Sequence, residues 1–463
     1  MEESLSTRAA AAYRAGDPAL AEKLARDACE ADPQDESAAL LLSGLLLHRH
    51  EAREAAEFLR RLLSAGLASA AAKSNLALCY SRLGEHAEAA DWARQACREK
   101  PSLVSAWNVL GNALLAVGDP VAAEAELLQG LSTNPDHPAL ILLLGHARRV
   151  QGRETEAVSS YRRFEAASDR LLEEAEAMAL SGRLVEAEHR YRQLVQAQPA
   201  NAAAHAGLGR ALLRLDRTEE AVGALSRALK LQPNDPASRH FLRVARGEPA
   251  AGAEPAYVKS LFDSYADKFD RSLVDDLGYR IPGELAEILR GCNGDLSEVV
   301  DLGCGTGLVA KALAEDAVAI DGVDLSPRML AIARGSERYR NLFEADVVDF
   351  LQTSATTYTT AIAADVLVYV GDLNPLLAAL ARRLRAGGCF AFSIELAEGD
   401  AWSLNAKTGR YQHSPAAVDV MLSEHGFAPA EWTITTIRSE LSARIPGAIG
   451  VCQRMPGEAG PRR

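Results

Sequence analysis

The chain has 463 residues, 48% hydrophobic and 24% charged, which suits two or three folded domains and excludes a disordered or collagen-like polymer. Its formal net charge of −13 lacks the basic footprint of a nucleic-acid binder, so DNA and RNA are not expected partners. The seven cysteines (Cys29, Cys79, Cys97, Cys292, Cys304, Cys389 and Cys452) contain no CxxC pair and read as reduced thiols, with no metal site expected. The acidic start Met1–Ser4 has no apolar run behind it, and no stretch approaches 18 apolar residues. Neither a secretory leader nor a membrane span is expected, and the expected address is cytoplasmic.

The first half repeats itself. Alanines recur every 34 residues at Ala21, Ala55, Ala89, Ala123 and Ala157, then at Ala187 and Ala221 after one gap of 30. Twelve residues before each stands a small residue: Ala9, Ser43, Ala77, Gly111, Gly145, Ala175 and Gly209. Prolines follow at Pro33, Pro101, Pro135, Pro199 and Pro233, and turn glycines at Gly16, Gly84, Gly118, Gly152 and Gly182. The pattern predicts pairs of amphipathic helices. Small residues let the pair cross closely, glycine makes the left-handed turn, and proline ends the second helix. One hairpin cannot bury its apolar face alone, so the units must stack. The pattern resembles the tetratricopeptide (TPR) repeat, best in Trp107, Gly111, Gly118, Ala123 and Pro135. His50 replaces the turn glycine of the second unit, and Asp169 the closing proline of the fifth. The resemblance implies a groove for a protein or peptide; the other reading is an array that holds copies of the chain in a homo-oligomer.

Residues 247–256 carry two glycines and two prolines among small polar residues and read as a linker. Beyond it the 34-residue period stops. Helical stretches alternate with apolar runs at 298–302, 317–324, 341–345, 359–370 and 389–395, which predicts βαβ units and a parallel sheet. Two late runs, 432–437 and 448–452, are expected to close it as a hairpin.

Asp301-Leu302-Gly303-Cys304-Gly305-Thr306-Gly307 follows the first predicted strand and precedes a predicted helix, Leu308–Ala314. Glycines there let the backbone turn tightly and approach a ligand without a Cβ in the way. The spacing is GxGxG and not the GxGxxG of a dinucleotide loop. Asp324 ends the second strand, where a carboxylate is placed to accept from ribose hydroxyls. Asp321 competes with it but falls earlier in the strand. Asp346 follows the third strand.

This set resembles class I S-adenosylmethionine-dependent methyltransferases. Asp301–Gly307 matches their first motif, Gly322–Leu330 the acidic loop after their second strand, Ala345-Asp346 the adenine-contacting turn, and Leu384–Gly388 the turn before their fifth strand. The resemblance implies that Gly303, Cys304, Gly305 and Gly307 lie under the methionine part of the cofactor. Asp301 would meet its amino group, Asp324 with Leu325 its ribose, and Asp346 with Val347 its adenine. Cys304 reads as a small filler and not a nucleophile.

Residues 257–270 resemble the aromatic N-terminal helix of methyltransferases of the ubiquinone and biotin pathways, which covers the cofactor. Tyr265 and Phe269, with Tyr279 behind them, are thus either lid residues or a core stripe. No Asp-Pro-Pro-Tyr run follows the fourth strand, where Asp365-Val366-Leu367-Val368-Tyr369 stands, so an exocyclic-amine methylase of nucleic acid is not expected. Asp365 and Tyr369 fall at the crevice edge of that strand. Asp365 is a candidate both for the cofactor side and for catalysis, Tyr369 for catalysis. His413 is the one histidine near the acceptor side to weigh as a base, against a capping role beside Ser414-Pro415.

The expected fold is an α-solenoid, a TPR superhelix over 1–246, followed by an α/β Rossmann-like class I methyltransferase domain over 257–463 with a seven-stranded, mostly parallel sheet. The leading functional expectation is an S-adenosylmethionine-dependent methyltransferase whose repeats recruit a protein or peptide. The alternatives are a small-molecule O- or N-methyltransferase with repeats used for assembly or localisation, and a TPR adaptor carrying an inactive fold.

Overall fold

The computed structural model describes residues 3–14, 17–248, 251–270, 278–291, 295–313, 315–317, 319–399, 401–440 and 443–456. Gly16, Cys292, Ala314 and Val318 lie outside them. The chain forms two compact units, Met1–Glu220 and Ala221–Arg463.

The repeats run as α1 (Leu5–Arg14), α2 (Pro18–Ala31), α3 (Glu36–His48), α4 (Ala52–Ser64), α5 (Ala70–Arg82), α6 (His86–Glu99), α7 (Val104–Ala116), α8 (Pro120–Thr133), α9 (Pro138–Val150), α10 (Glu154–Leu180), α11 (Leu184–Ala197), α12 (Ala202–Arg214), α13 (Thr218–Leu231) and α14 (Pro236–Ala245). Asp17, Asp35, Ser69, Asp119, Asn201 and Asp235 each accept a backbone N–H from the first turn they precede. Gly84, Gly118, Gly152 and Gly182 hold positive φ at the hairpin turns. His50 and Asp216 take the same left-handed conformation where the glycine is missing, at a small steric cost.

The small positions are close-packed. A Cβ on Gly111 would stand 2.8 Å from Leu127, and one on Gly145 2.6 Å from Tyr161. Gly207, two residues before the expected Gly209, packs on the buried Tyr191 ring more closely still.

One feature departs from the expected period. The fifth and sixth units share the single 27-residue helix α10 instead of breaking between them. With Asp169 in place of proline and no glycine near it, nothing stops the helix. A continuous core extends from Ala9 to Ala147 and reaches Ala167 on α10, while Leu171 belongs to a separate cluster with Leu194 and Ala204.

In the second unit, α14 is followed by α15 (Pro255–Tyr265), α16 (Ile281–Gly291), β1 (Val299–Leu302), α17 (Leu308–Ala312), β2 (Ile320–Asp324), α18 (Pro327–Gly335), β3 (Asn341–Glu344), α19 (Val347–Thr353), β4 (Tyr358–Ala363), α20 (Asn374–Arg383), β5 (Leu384–Glu395), β6 (Ser403–Asn405), β7 (Arg410–Gln412), α21 (Pro415–Glu424), β8 (Glu431–Glu440) and β9 (Ala443–Gln453). The main sheet has the order β3-β2-β1-β4-β5-β9-β8. Its first five strands pair in parallel, and β9 and β8 close it in antiparallel fashion. β1, β2 and β4 are buried along their whole length, as strands covered on both faces must be. The closing hairpin is longer than its apolar runs indicate and carries a register shift at Thr436/Arg438.

The stretch expected as a linker is tied down where it is described. Ala251 O accepts from Gly371 N and Asp372 N, both at 2.7 Å, and Ala253 N donates to Tyr369 O at 2.8 Å. Accordingly α14, which the 34-residue period assigns to the repeats, packs on α15 inside the second unit.

The glycine contacts set the sign of two substitutions. In open helix, Gly→Ala gains up to about 1 kcal/mol of propensity, whereas overpacking a rigid site costs about 1–3 kcal/mol. Gly223→Ala, with nothing within 4 Å of the new Cβ, is expected to stabilise. Gly207→Ala is expected to destabilise by about 1–2 kcal/mol because the Tyr191 ring cannot yield. Urea unfolding of both variants checks the pair, and equal midpoint shifts would refute the packing account.

Candidate active site

The loop after β1 is built on three glycines with positive φ, Gly303 (71°), Gly305 (52°) and Gly307 (95°). Gly303 N and Cys304 N both donate to Val323 O, at 2.8 and 2.9 Å, which draws the loop onto β2. Any side chain at Gly303 would overlap Val366. Gly307 is the N-cap of α17, so the loop ends on a helix start.

Two buried carboxylates frame this loop. Asp301 is inaccessible to solvent; its Oδ2 accepts from Tyr339 OH at 2.7 Å, and its buried Oδ1 has no hydrogen-bond partner among the described residues. Burial pushes its pKa up to about 7, with Asp324 adding to the rise and the Tyr339 hydroxyl opposing it. Asp324 lies at the end of β2 and turns inward. Its Oδ2 accepts from Gly305 N at 2.9 Å and its Oδ1 from Ser326 N at 2.8 Å. Burial raises its pKa against those two backbone bonds. Asp321 faces a different setting. Burial works to raise its pKa, but Arg340, Asn341 and Tyr358 outweigh this with hydrogen bonds and hold it below the usual carboxylate range. It is Asp324, not Asp321, that reaches the glycine loop.

The other expected residues fall around this centre. Leu325 is half-buried between Asp324 and α18. Asp346 caps α19, its Oδ1 accepting from Val348 N at 2.8 Å, and Val347 opens that helix. Cys304 is buried, and its thiol is pushed well above the ordinary value by burial and by Asp301 and Asp324, which rules against a nucleophile.

The aromatic residues of α15 and the turn after it also converge. Phe269 reaches the space above Gly305, 3.8 Å from where a Cβ would stand. Tyr265 and Phe262 pack edge-on against Phe269, and Phe262 meets Tyr369. Three carboxylates fasten this segment: Asp263 accepts from Ser326 Oγ at 2.6 Å, Asp267 pairs with Arg328, and Asp270 accepts from the Thr306 hydroxyl.

On the other side, Asp365 is held at φ 58°, a left-handed conformation rare outside glycine. Its N–H donates to Ser393 Oγ at 2.8 Å, and its carboxylate meets Arg438 Nη1 at 3.1 Å. Arg438 is almost fully buried and also pairs with Glu395 at the end of β5. The register shift beside Ile437, which fills the space left by Gly447, carries Arg438 into this position.

His413 is not placed as a base. It is fully buried, and its Nε2 is committed to Val370 O at 2.8 Å. Burial lowers its pKa, with the Val370 and Leu367 carbonyls opposing. It ties the loop after β4 to the segment after β7. Ser414 and Pro415 do start α21, without a side-chain capping bond.

Sequence reasoning missed Tyr339, Asp263, Glu395 and Arg438. The one available signal was Arg438 itself, a cation directly after the apolar and threonine-rich run 432–437. Among the described residues, no group of three or more His, Cys, Asp or Glu is arranged to hold a metal ion, and no helix is long and apolar enough to cross a membrane.

Residues 300–390 match the family described as "Methyltransferase domain". Residues 50–103, 108–170 and 178–243 match families described as "Tetratricopeptide repeat". The chain is 29% identical over 143 residues to a demethylmenaquinone methyltransferase of Tropheryma whipplei, covering 30% of this chain and 58% of that one. It is 33% identical over 105 residues to a ubiquinone biosynthesis O-methyltransferase of Thiobacillus denitrificans, covering 21% and 43%. The chain thus spans about half the length of the curated relatives it matches. The solved structure of magnesium protoporphyrin IX methyltransferase from Synechocystis PCC 6803 with bound SAH superposes with a TM-score of 0.35 at 19% identity, over 43% of this chain and all of that one. That of MamA superposes with a TM-score of 0.33 at 20% identity, over 35% and 95%. The chain therefore joins TPR repeats to a domain of the class I S-adenosylmethionine-dependent methyltransferase type.

The elevated Asp301 pKa has a signed consequence. The unfolded carboxyl ionises near 3.9 and the folded one near 7. Its stabilising contribution is therefore complete below the unfolded value and is lost as pH rises through about 7. Asp301→Asn removes that loss. At about pH 8 the ligand-free variant is expected to exceed the parent by on the order of 2–4 kcal/mol, and at about pH 3, below the unfolded pKa, the two should converge. Thermal unfolding across that range checks it, and a pH-independent offset would refute it.

Proposed function

We propose that this chain is a methyltransferase that binds S-adenosylmethionine on the 301–307 loop and methylates an acceptor brought to the carboxyl ends of β4 and β5. The observation that carries the reading is the buried, unpartnered Asp301 Oδ1 beside three positive-φ glycines. An isolated buried carboxylate oxygen costs free energy unless a donor arrives. The ammonium of a bound methionine moiety is such a donor, and its charge would reverse the pKa rise. Asp324 has its oxygens fixed by two backbone N–H groups and keeps lone pairs for ribose hydroxyls. The cofactor supplies a methyl group on a sulfonium sulfur. The chain's own task is to orient the partners and exclude water, for which Phe269 and Tyr265 stand over the loop.

The repeats support recruitment of a protein or peptide as substrate or localising partner, since a stacked helical array offers an extended surface. A second reading, a small-molecule acceptor, is favoured by the curated relatives, whose names place them in menaquinone and ubiquinone synthesis. Labelled-methyl transfer into a host lysate, split into macromolecular and small-molecule fractions, separates the two.

Calorimetry with S-adenosylhomocysteine tests the site. Asp324→Ala is expected to weaken binding about tenfold to a hundredfold, the worth of hydrogen bonds to a charged group. Absence of binding by the parent chain would overturn the reading in favour of an adaptor.

A further inference from the structure

We propose that α14, the last helix of the repeat pattern, is the wall on which the acceptor side of the methyltransferase unit is built, with His240 as a positioning residue for the acceptor. This rests on the methyl-transfer reading above and adds to it a role for one repeat helix in acceptor use.

His240 is buried on the inner face of α14. Its ring stacks on Tyr257 of α15 at 4.3 Å and 10°, and Phe241 meets both rings edge-on. Its Nε2 lies 2.9 Å from Gly409 O, so that nitrogen carries the hydrogen and donates. Gly409 makes the turn between β6 and β7 at φ 69°. A Cβ there would stand 2.8 Å from His240 Nε2 and 3.0 Å from Phe241, so glycine is what allows the hairpin to seat on the helix.

From that seat the contacts lead into the crevice. Arg410, next to Gly409, lies 3.8 Å from Glu395. Glu395 pairs with Arg438, and Arg438 with Asp365. Past the hairpin, His413 N donates to Glu395 O and His413 Nε2 to Val370 O, both at 2.8 Å. The segment leaving α14 holds the second acceptor-side loop. Glu254 pairs with Arg239 and Arg243 of the helix, and residues 251–253 bond to Tyr369, Gly371 and Asp372.

In an open α/β sheet, ligands lie beyond the carboxyl ends of the strands. The carboxyl ends of β1 and β2 and the turn after β3 carry Asp301, Asp324 and Asp346, which accept hydrogen bonds from Tyr339, Gly305, Ser326 and Val348. The loops after β4 and β5 are left for the acceptor, and both are anchored on α14 or on the segment that follows it. Loosening this anchor should therefore degrade acceptor use and spare cofactor binding, a split that general destabilisation does not produce.

The test uses the full chain with His240→Ala, Gly409→Ala and the donor-retaining His240→Gln. Affinity for S-adenosylhomocysteine is measured by calorimetry, acceptor use as labelled-methyl transfer over a dilution series of host lysate, and hairpin order as hydrogen exchange of residues 396–413. The two alanine variants are expected to raise the half-saturating lysate load about tenfold, to speed exchange in that segment, and to keep the S-adenosylhomocysteine Kd within about twofold; His240→Gln is expected to recover part of the loss. An unchanged load despite faster exchange, unchanged exchange, or a Kd that rises in step with the load would overturn the proposal. A parent chain that binds no S-adenosylhomocysteine would instead overturn the methyl-transfer reading itself.

Discussion

The organising constraint of the second unit is the burial of two carboxylates, Asp301 and Asp324, against one glycine loop. Water cannot reach Asp301, and Tyr339 satisfies only one of its oxygens. Such a group persists because the surrounding sheet fixes it, with β1 paired in parallel on both sides. The loop conformation follows from the same constraint. Gly305 must turn its N–H to Asp324, and the chain must clear Val366 and Tyr339, which only residues without a Cβ allow at Gly303 and Gly307. The site is thus a region of stored cost, stabilised by the well-packed strands around it.

Much of this was legible in the sequence because it was local. The 34-residue period marked the hairpin turns at Gly84, Gly118, Gly152 and Gly182, since glycine acts on the chain where it stands. The Asp-Leu-Gly-Cys-Gly-Thr-Gly run and the acid ending the second strand marked the loop for the same reason. What stayed hidden depends on contacts far apart in sequence. Asp263 and Ser326 are 63 residues apart, and Arg438 and Asp365 are 73 apart. His413 was weighed by residue type and by its place before a helix start, and its burial against Val370 could not be read from its neighbours.

The repeats show a different balance. Their stability rests on close approach of helices at small residues, where the glycines meet a leucine, tyrosine or tryptophan of a neighbouring helix. Such a core is built from many small increments, each sensitive to a single added carbon. Two helices run on as α10 where proline and glycine are both missing, whereas the second unit, with Leu67 at its proline position, still breaks at Gly66.

That fusion sets a rule for how this part of the chain is able to vary in length. A turn such as that at Gly118 absorbs an extra residue by bulging outward. Within α10, one added residue advances everything beyond it by about 1.5 Å and swings it through about 100° around the helix axis. Ala167 and Leu171 would then no longer face their two separate clusters together. The spacing between those residues is therefore a phase relationship, and length changes in this stretch are tolerable only in steps that restore whole turns.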